Sequence, residues 1–301
     1  TDPQIVQLEV PAGTCVLHHG RLWHGSASNA TADRVRRSLA VHLIRPDTRF
    51  RADKLAYLLA DSRAAALVAE ARLVPAFVAA AKASPHLRAI VVAGDLAGAE
   101  LGGLAVTAWD DALRGAERER PPPRRCIDVD LASIIYTSGS TGEPKGVMLT
   151  HRNMLTAATS ITQYLENVED DVLLGALPLS FDYGLYQLIM AFRMGARLVL
   201  ERSFTYPAQV LAVVVEEGVT GFPGVPTMFA LLAEMKSLRD HDLSRVRYVT
   251  NTAAALPVKH IRVLADIFPG ARIFSMYGLT ECKRCTYLPP ADLARKPTSV
   301  G

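Results

Sequence analysis

A mostly parallel β-sheet covered by helices on both faces is expected for this chain of 301 residues. Helical and strand patterns alternate from Arg51 to Met276, the signature of strands joined by crossover helices. Half of the residues are apolar, enough to bury a sizeable core. A loop rich in Gly, Ser and Thr leaves a short apolar strand at Tyr136, and in such sheets ligands bind beyond the carboxyl ends of strands.

The first fifty residues read differently, as strands at Ile5 to Val10, Gly13 to His18 and Arg37 to Ile44. The alternation then begins: a helix over Arg51 to Ser62, a strand at Ala64 to Ala69, a helix over Leu73 to Ala83 and a strand at Arg88 to Ala93. Glu117 to Arg125 mixes charges of both signs with three prolines and reads as a solvated connector. Leu131 to Tyr136 and Gly146 to Leu149 are the strands flanking the loop. A helix from His151 to Tyr164 follows, with Asn153 near its start. Next come a strand at Val172 to Ala176, a helix over Tyr183 to Met194 and a strand at Arg197 to Leu200. A helix over Pro207 to Glu217, a strand at Val219 to Phe222 and a helix over Pro226 to Lys236 continue the series. It closes with a strand at Val246 to Thr250, a helix over Val258 to Phe268 and a strand at Arg272 to Met276.

The loop reads Tyr136-Thr137-Ser138-Gly139-Ser140-Thr141-Gly142-Glu143-Pro144-Lys145-Gly146. Glycine tolerates positive φ, so such a loop turns successive backbone N–H groups inward. The concave nest that results, with hydroxyl donors and one ammonium, suits a polyphosphate. It is not a Walker A loop, which needs glycine before the lysine and Ser or Thr after it. As composition alone, the same stretch would be a plain surface loop. Its full motif, set directly after a strand, argues against that reading.

The order of these residues resembles the phosphate loop of the AMP-forming adenylate synthetases, the acyl- and aryl-CoA ligases, luciferases and peptide-synthetase adenylation domains. Four later segments share the resemblance: Leu177 to Gly184, Phe222 to Met228, Asn251 to Pro257, and Tyr277-Gly278-Leu279-Thr280-Glu281. The resemblance implies the partial large N-terminal domain of such an enzyme over residues 48–301, truncated at both ends. It implies that Thr137, Ser138, Gly139, Ser140, Thr141, Gly142 and Lys145 hold phosphate. Asn251, Thr252, Ala253 and Ala254 would lie against adenine, with Met276, Tyr277, Gly278 and Thr280 completing the nucleotide site. Thr280 and Glu281 would act in catalysis, Glu281 holding Mg²⁺, while Phe181, Asp182, Gly224 and Met228 would line the acid site. Asp182 has two readings, a cap for the helix starting at Tyr183 or a partner for a substrate amino group. Alone, Tyr277 would be a core aromatic, Glu281 a helix-end charge and Asn251 a turn residue; five segments in order outweigh these readings.

Leu22-Trp23-His24-Gly25-Ser26, followed by Arg36-Arg37-Ser38-Leu39-Ala40-Val41-His42, resembles the C-terminal strands of phytanoyl-CoA dioxygenase-like enzymes. Those are Fe(II)/2-oxoglutarate oxygenases on a double-stranded β-helix, and residues 1–47 are read as a β remnant of one. The resemblance implies that His24 corresponds to an iron ligand and Arg36 to the 2-oxoglutarate partner, with Arg34 and Arg37 competing for that role. A non-haem iron site needs two histidines and a carboxylate, and no H-x-D/E pair precedes His24. His24 and Arg36 are therefore read as vestigial, and functional Fe(II) or 2-oxoglutarate binding is not expected. The junction near Arg45 to Phe50 reads as a fusion, a deletion between neighbouring genes or an assembly artefact.

The expected function is ATP- and Mg²⁺-dependent activation of a small carboxylic acid as its acyl-adenylate, with transfer to coenzyme A or an acyl carrier protein. The family's ribose aspartate, hinge and small C-terminal domain would follow Gly301, so impaired turnover is expected of this chain. A catalytically inactive nucleotide- or acyl-binding remnant is the alternative, and a 2-oxoglutarate oxygenase the third. A net charge of +3 without a long basic run gives no reason to expect nucleic acid. Four cysteines are too sparse for a disulfide framework, and Cys282 with Cys285 is an isolated C-x-x-C. No stretch reaches the roughly 18 apolar residues of a membrane span. A cytoplasmic protein is the default expectation, and the opening on Thr1 rather than Met suggests a fragment.

Overall fold

The computed structural model describes residues 52–95, 103–114, 126–137 and 143–301. The expected strands and ligands of the first fifty residues lie outside them. The chain divides into two compact units, 1–154 and 155–301.

In the first unit, α1 (Ala52–Asp61) buries Leu55 and Leu59, one turn apart on the same face. Arg63, at φ 53°, ends it, and Ala64 N–H returns to Leu59 O at 3.0 Å. Three parallel strands follow in the order β1 (Ala66–Glu70), β2 (Ala89–Ala93) and β3 (Ala105–Ala108). Between β1 and β2 runs α2 (Val74–Ala83), with proline in its first turn, where a missing N–H costs nothing. Phe77, Ile90 and Val92 pack with Leu59 in this unit's own core. Each such side chain contributes about 1.5–3 kcal/mol by leaving water. The strand β3 and the short α3 (Trp109–Arg114) were not expected. The sequence there, Ala-Val-Thr-Ala, offers too few residues for a clear alternation.

The flanking strands of the Gly/Ser/Thr loop are β4 (Leu131–Thr137) and β5 (Lys145–Thr150). They form a separate two-stranded sheet and pair antiparallel. The physical reason is length: residues 138–144 are too few for the crossover of about a dozen residues that a parallel pair requires. The chain then enters α4 (His151–Leu165). Thr150 N–H donates to Asn153 Oδ1 at 3.0 Å and Asn153 N–H donates to Thr150 Oγ1 at 3.1 Å, a reciprocal cap that fixes where the helix starts.

The second unit contains β6 (Val172–Gly175), α5 (Asp182–Met194), β7 (Arg197–Leu200), α6 (Pro207–Glu216), β8 (Gly221–Gly224), α7 (Pro226–Glu234), β9 (Tyr248–Asn251), α8 (Val258–Ile267), β10 (Arg272–Tyr277) and β11 (Thr286–Leu288). Its six strands lie in the order β11-β10-β9-β8-β6-β7, parallel except for β11. Strand β11, too short for a sequence pattern, was also not expected. Phe222, Phe229, Phe268 and Tyr248 are fully buried in the core of this unit.

Asp171, just before β6, is a buried hub. It accepts from Arg247 Nε at 2.7 Å, Thr220 Oγ1 at 2.8 Å, Asn167 Nδ2 at 2.9 Å and Val168 N–H at 2.9 Å. Burial pushes its carboxyl up, but these donors outweigh burial and hold it down at about 2. The hub ties the entry of β6 to the residues preceding β8 and β9. Among the described residues, no helix is long and apolar enough to cross a membrane.

Candidate active site

The loop belongs to the first unit. Thr137 and Lys145 are register partners at the end of the β4–β5 hairpin, so the loop is the hairpin tip. Ser138, Gly139, Ser140, Thr141 and Gly142 lie outside the described residues; Lys145 is exposed. Helix α1 holds the base of the tip at three points. Lys54 Nζ pairs with Glu143 at 2.9 Å, Tyr57 OH donates to Pro144 O at 3.1 Å, and Tyr136 OH donates to Asp61 Oδ2 at 2.5 Å. Burial first, and Asp61 second, hold the Tyr136 hydroxyl above the usual phenol range. These α1 contacts carry no sequence signal, because their partners are 75 to 89 residues apart.

The remaining segments lie in the second unit. Tyr277 ends β10, and residues 278–285 form the hairpin turn into β11, with Tyr277 opposite Thr286. The turn is closed by Lys283 N–H to Leu279 O at 2.7 Å and by Cys285 N–H to Tyr277 O at 2.9 Å. It is so tight that a Cβ on Gly278 would sit 1.8 Å from the Lys283 carbonyl oxygen. The Tyr277 ring is 52% exposed at the carboxyl end of β10, and Glu281 is also exposed. Met276 is buried, its sulfur accepting from Tyr164 OH at 3.0 Å. Among the described residues no group of three or more His, Cys, Asp or Glu is placed to hold a metal.

Asn251, at the end of β9, is fully buried and donates from Nδ2 to Ala254 O at 3.0 Å. This bond folds the small-residue turn, in which Ala253 takes φ 74°. Asn251 Oδ1 and Thr252 Oγ1 are buried without a hydrogen-bond partner. Buried polar atoms are rarely left so. Gly224 closes β8, and Met228 is buried in α7.

The Phe181 to Tyr183 segment joins these pieces. Tyr183 OH donates to Thr250 O at 2.9 Å and takes a backbone hydrogen bond from Gly224, which links α5 to β9 and β8. Burial, the dominant influence, raises its hydroxyl to about 12. Phe181 is partly exposed and stands edge-on to Tyr183. Asp182 does not cap α5: Phe181 is the N-cap residue, no side chain caps the helix, and Asp182 is its first helical residue. Its carboxylate instead lies 4.0 Å from Arg284 Nη1. Lys283 Nζ donates to the Thr280 carbonyl, and Arg284 Nη1 donates to Lys283 O at 2.7 Å. The sequence alone assigned no role to Lys283 or Arg284, which follow Glu281 and Cys282. Adjacent basic residues behind a carboxylate signature were the available clue.

The AMP-binding enzyme family matches residues 36–301, and the chain belongs to it. The phytanoyl-CoA dioxygenase (PhyH) family matches residues 1–38, which include His24 and Arg36 and lie outside the described residues. An L-proline–[L-prolyl-carrier protein] ligase of Streptomyces coelicolor is 30% identical over 218 residues, covering 70% of this chain and 41% of that protein. A long-chain-fatty-acid–CoA ligase of Bacillus subtilis is 31% identical over 175 residues, covering 57% of this chain and 31% of that protein. The chain therefore spans less than half the length of these curated relatives. The crystal structure of VinN resembles it with a TM-score of 0.70 at 27% identity, covering 96% of this chain and 68% of VinN.

Proposed function

We propose that this chain activates a carboxylic acid with ATP and Mg²⁺ as its acyl-adenylate, for transfer to coenzyme A or a carrier-bound thiol. The observation that carries the reading is the β10–β11 turn. A closed hairpin presents the Tyr277 ring, Thr280 and the Glu281 carboxylate at the carboxyl end of a parallel strand, in a chain of the AMP-binding family. Activation is in-line attack by a carboxylate oxygen on the α-phosphorus, with pyrophosphate leaving, so the protein's work is positioning and charge neutralisation. Lys145 and the hairpin-tip donors hold the departing pyrophosphate. The exposed Tyr277 ring offers the purine a stacking face. Asn251 Oδ1, the buried acceptor, takes a hydrogen bond from the adenine amino group.

Glu281 fits the metal. Mg²⁺ is bound through one or two carboxylates with phosphate and water oxygens completing its shell, not by a cage of protein ligands. When bound, it neutralises phosphate charge that develops as pyrophosphate leaves.

The acids named for relatives range from L-proline to long-chain fatty acids, and VinN forms a complex with L-aspartate. Either kind of thiol acceptor is represented among the relatives, a carrier protein and coenzyme A. The test is ATP affinity, measured calorimetrically, in Lys145→Ala and Thr141→Ala. Each variant removes one phosphate donor, and a hydrogen bond to a charged group is worth about 1.5–3 kcal/mol, so roughly a 10- to 100-fold loss is expected. Unchanged affinity in both variants would sink the assignment.

A further inference from the structure

Three charged side chains meet behind the Tyr277–Glu281 turn. Asp182 at the start of α5 has a side chain 8% exposed, and that of Arg284 is 6% exposed. Lys283 is 2% exposed. All three are thus more than nine-tenths buried, at a point where water screens little. Asp182 is the buried carboxylate beside Arg284, at a long 4.0 Å from Nη1 to Oδ2, while the exposed Glu281 carboxylate also acts on Lys283.

The remaining contacts of the cations are to neutral groups. Lys283 Nζ donates to the Thr280 carbonyl and lies 5.8 Å from the Tyr186 ring centroid. An ammonium has three donors, so capacity remains. Arg284 stacks over the Tyr183 ring at 4.5 Å, donates Nη1 to Lys283 O, and leaves Nε buried without a partner. A buried donor without an acceptor is costly, and a further carboxylate would supply the acceptor that Arg284 Nε lacks.

The cluster is next to the residues assigned to the acid. Asp182 lies between Phe181 and Tyr183, and Lys283 holds the carbonyl of Thr280. The geometry points to Asp182, Lys283 and Arg284 as a recognition subsite for an acid that carries a second carboxylate, a dicarboxylate or an acidic amino acid. One carboxylate is activated, and the other takes the free donors of Arg284 and Lys283, with the guanidinium fork supplying direction. The placement of the subsite rests on the acyl-adenylate reading; its chemistry does not.

The experiment titrates succinate, L-aspartate, L-proline and octanoate into the 301-residue chain, with and without ATP and Mg²⁺. Succinate or L-aspartate is expected to bind at least tenfold more tightly than L-proline and octanoate. Arg284→Gln should narrow that ratio at least tenfold. If Arg284→Gln lowers the unfolding midpoint, Arg284→Lys is the second variant: it keeps the charge, loses the fork, and must still narrow the ratio. Preference for octanoate or L-proline overturns the subsite, as does a diacid preference that survives both variants. Lys145-dependent ATP binding without diacid preference overturns the subsite alone. Arg284-dependent diacid binding with no ATP binding overturns the adenylate reading and leaves the subsite standing. Absence of both removes both.

Discussion

Replacing Gly278 by alanine probes the turn behind the proposed nucleotide site with the smallest possible change. The new methyl carbon would lie 1.8 Å from the Lys283 carbonyl oxygen, 2.8 Å from its carbon and 3.2 Å from Arg284 Cα. Real contacts of this kind begin above 3.0 Å, so the two sides of the turn must part by more than 1 Å. Relief is difficult, because the obstacle is backbone rather than a flexible side-chain end. Lys283 already takes φ 66°, and its carbonyl accepts from Arg284. Forced overpacking of this kind costs about 1–3 kcal/mol in folding free energy. In a site that works by position, a displacement near 1 Å costs on the order of 100-fold in rate. The Gly278→Ala chain is therefore expected to unfold at lower denaturant and to bind ATP at least tenfold more weakly. Denaturant unfolding followed by circular dichroism, with calorimetric ATP titration below the transition, reads both. Wild-type ATP affinity in a folded Gly278→Ala chain would refute the link between this turn and the nucleotide.

Two further predictions concern the scaffold of the second unit. Asp171→Asn should lose about 1.5–3 kcal/mol of stability at neutral pH, the worth of hydrogen bonds to a charged group. Because the folded carboxyl is held at about 2, below its ordinary value, its contribution is complete above about pH 4 and fades as pH falls through about 2. Denaturant midpoints of both chains across that range should converge at the acid end, and a gap that stays constant would show that the charge is irrelevant. Tyr183→Phe removes the hydroxyl that donates to Thr250 O, so a loss of about 1 kcal/mol is expected from thermal unfolding. No loss would mean that Tyr183 serves as packing alone.

What the sequence made legible follows the physics of range. Elements with a clear local period were readable to within a residue or two, such as the helix expected at Arg51 to Ser62 and found at Ala52–Asp61. Strand β8 was expected at Val219 and begins at Gly221, because the strand Gly-Phe-Pro-Gly has weak strand propensity and is held by neighbours on both sides. The loop and the Tyr277–Glu281 motif were legible because each is a contiguous run whose chemistry depends on its order. Asp182 was misjudged as a possible cap, since a buried aspartate at a helix start looks the same in sequence whether its partner is the next turn or an arginine 102 residues away. The antiparallel pairing of β4 and β5 has a local reason, the short connection between them.

Both signature loops connect neighbouring antiparallel strands, 137 to 145 in one unit and 277 to 286 in the other. In a hairpin, register and loop length are one variable, and a slip by a single residue turns every following side chain to the opposite face. Exchanges of side chain within these loops, Gly278 apart, leave the register of the ladder intact. Insertions and deletions do not, since they alter which residue faces Thr137 or Tyr277 across the sheet. Variation in these two stretches should thus be confined to substitution, with changes in chain length absorbed elsewhere, for instance in the charged, proline-bearing connector between Glu117 and Arg125.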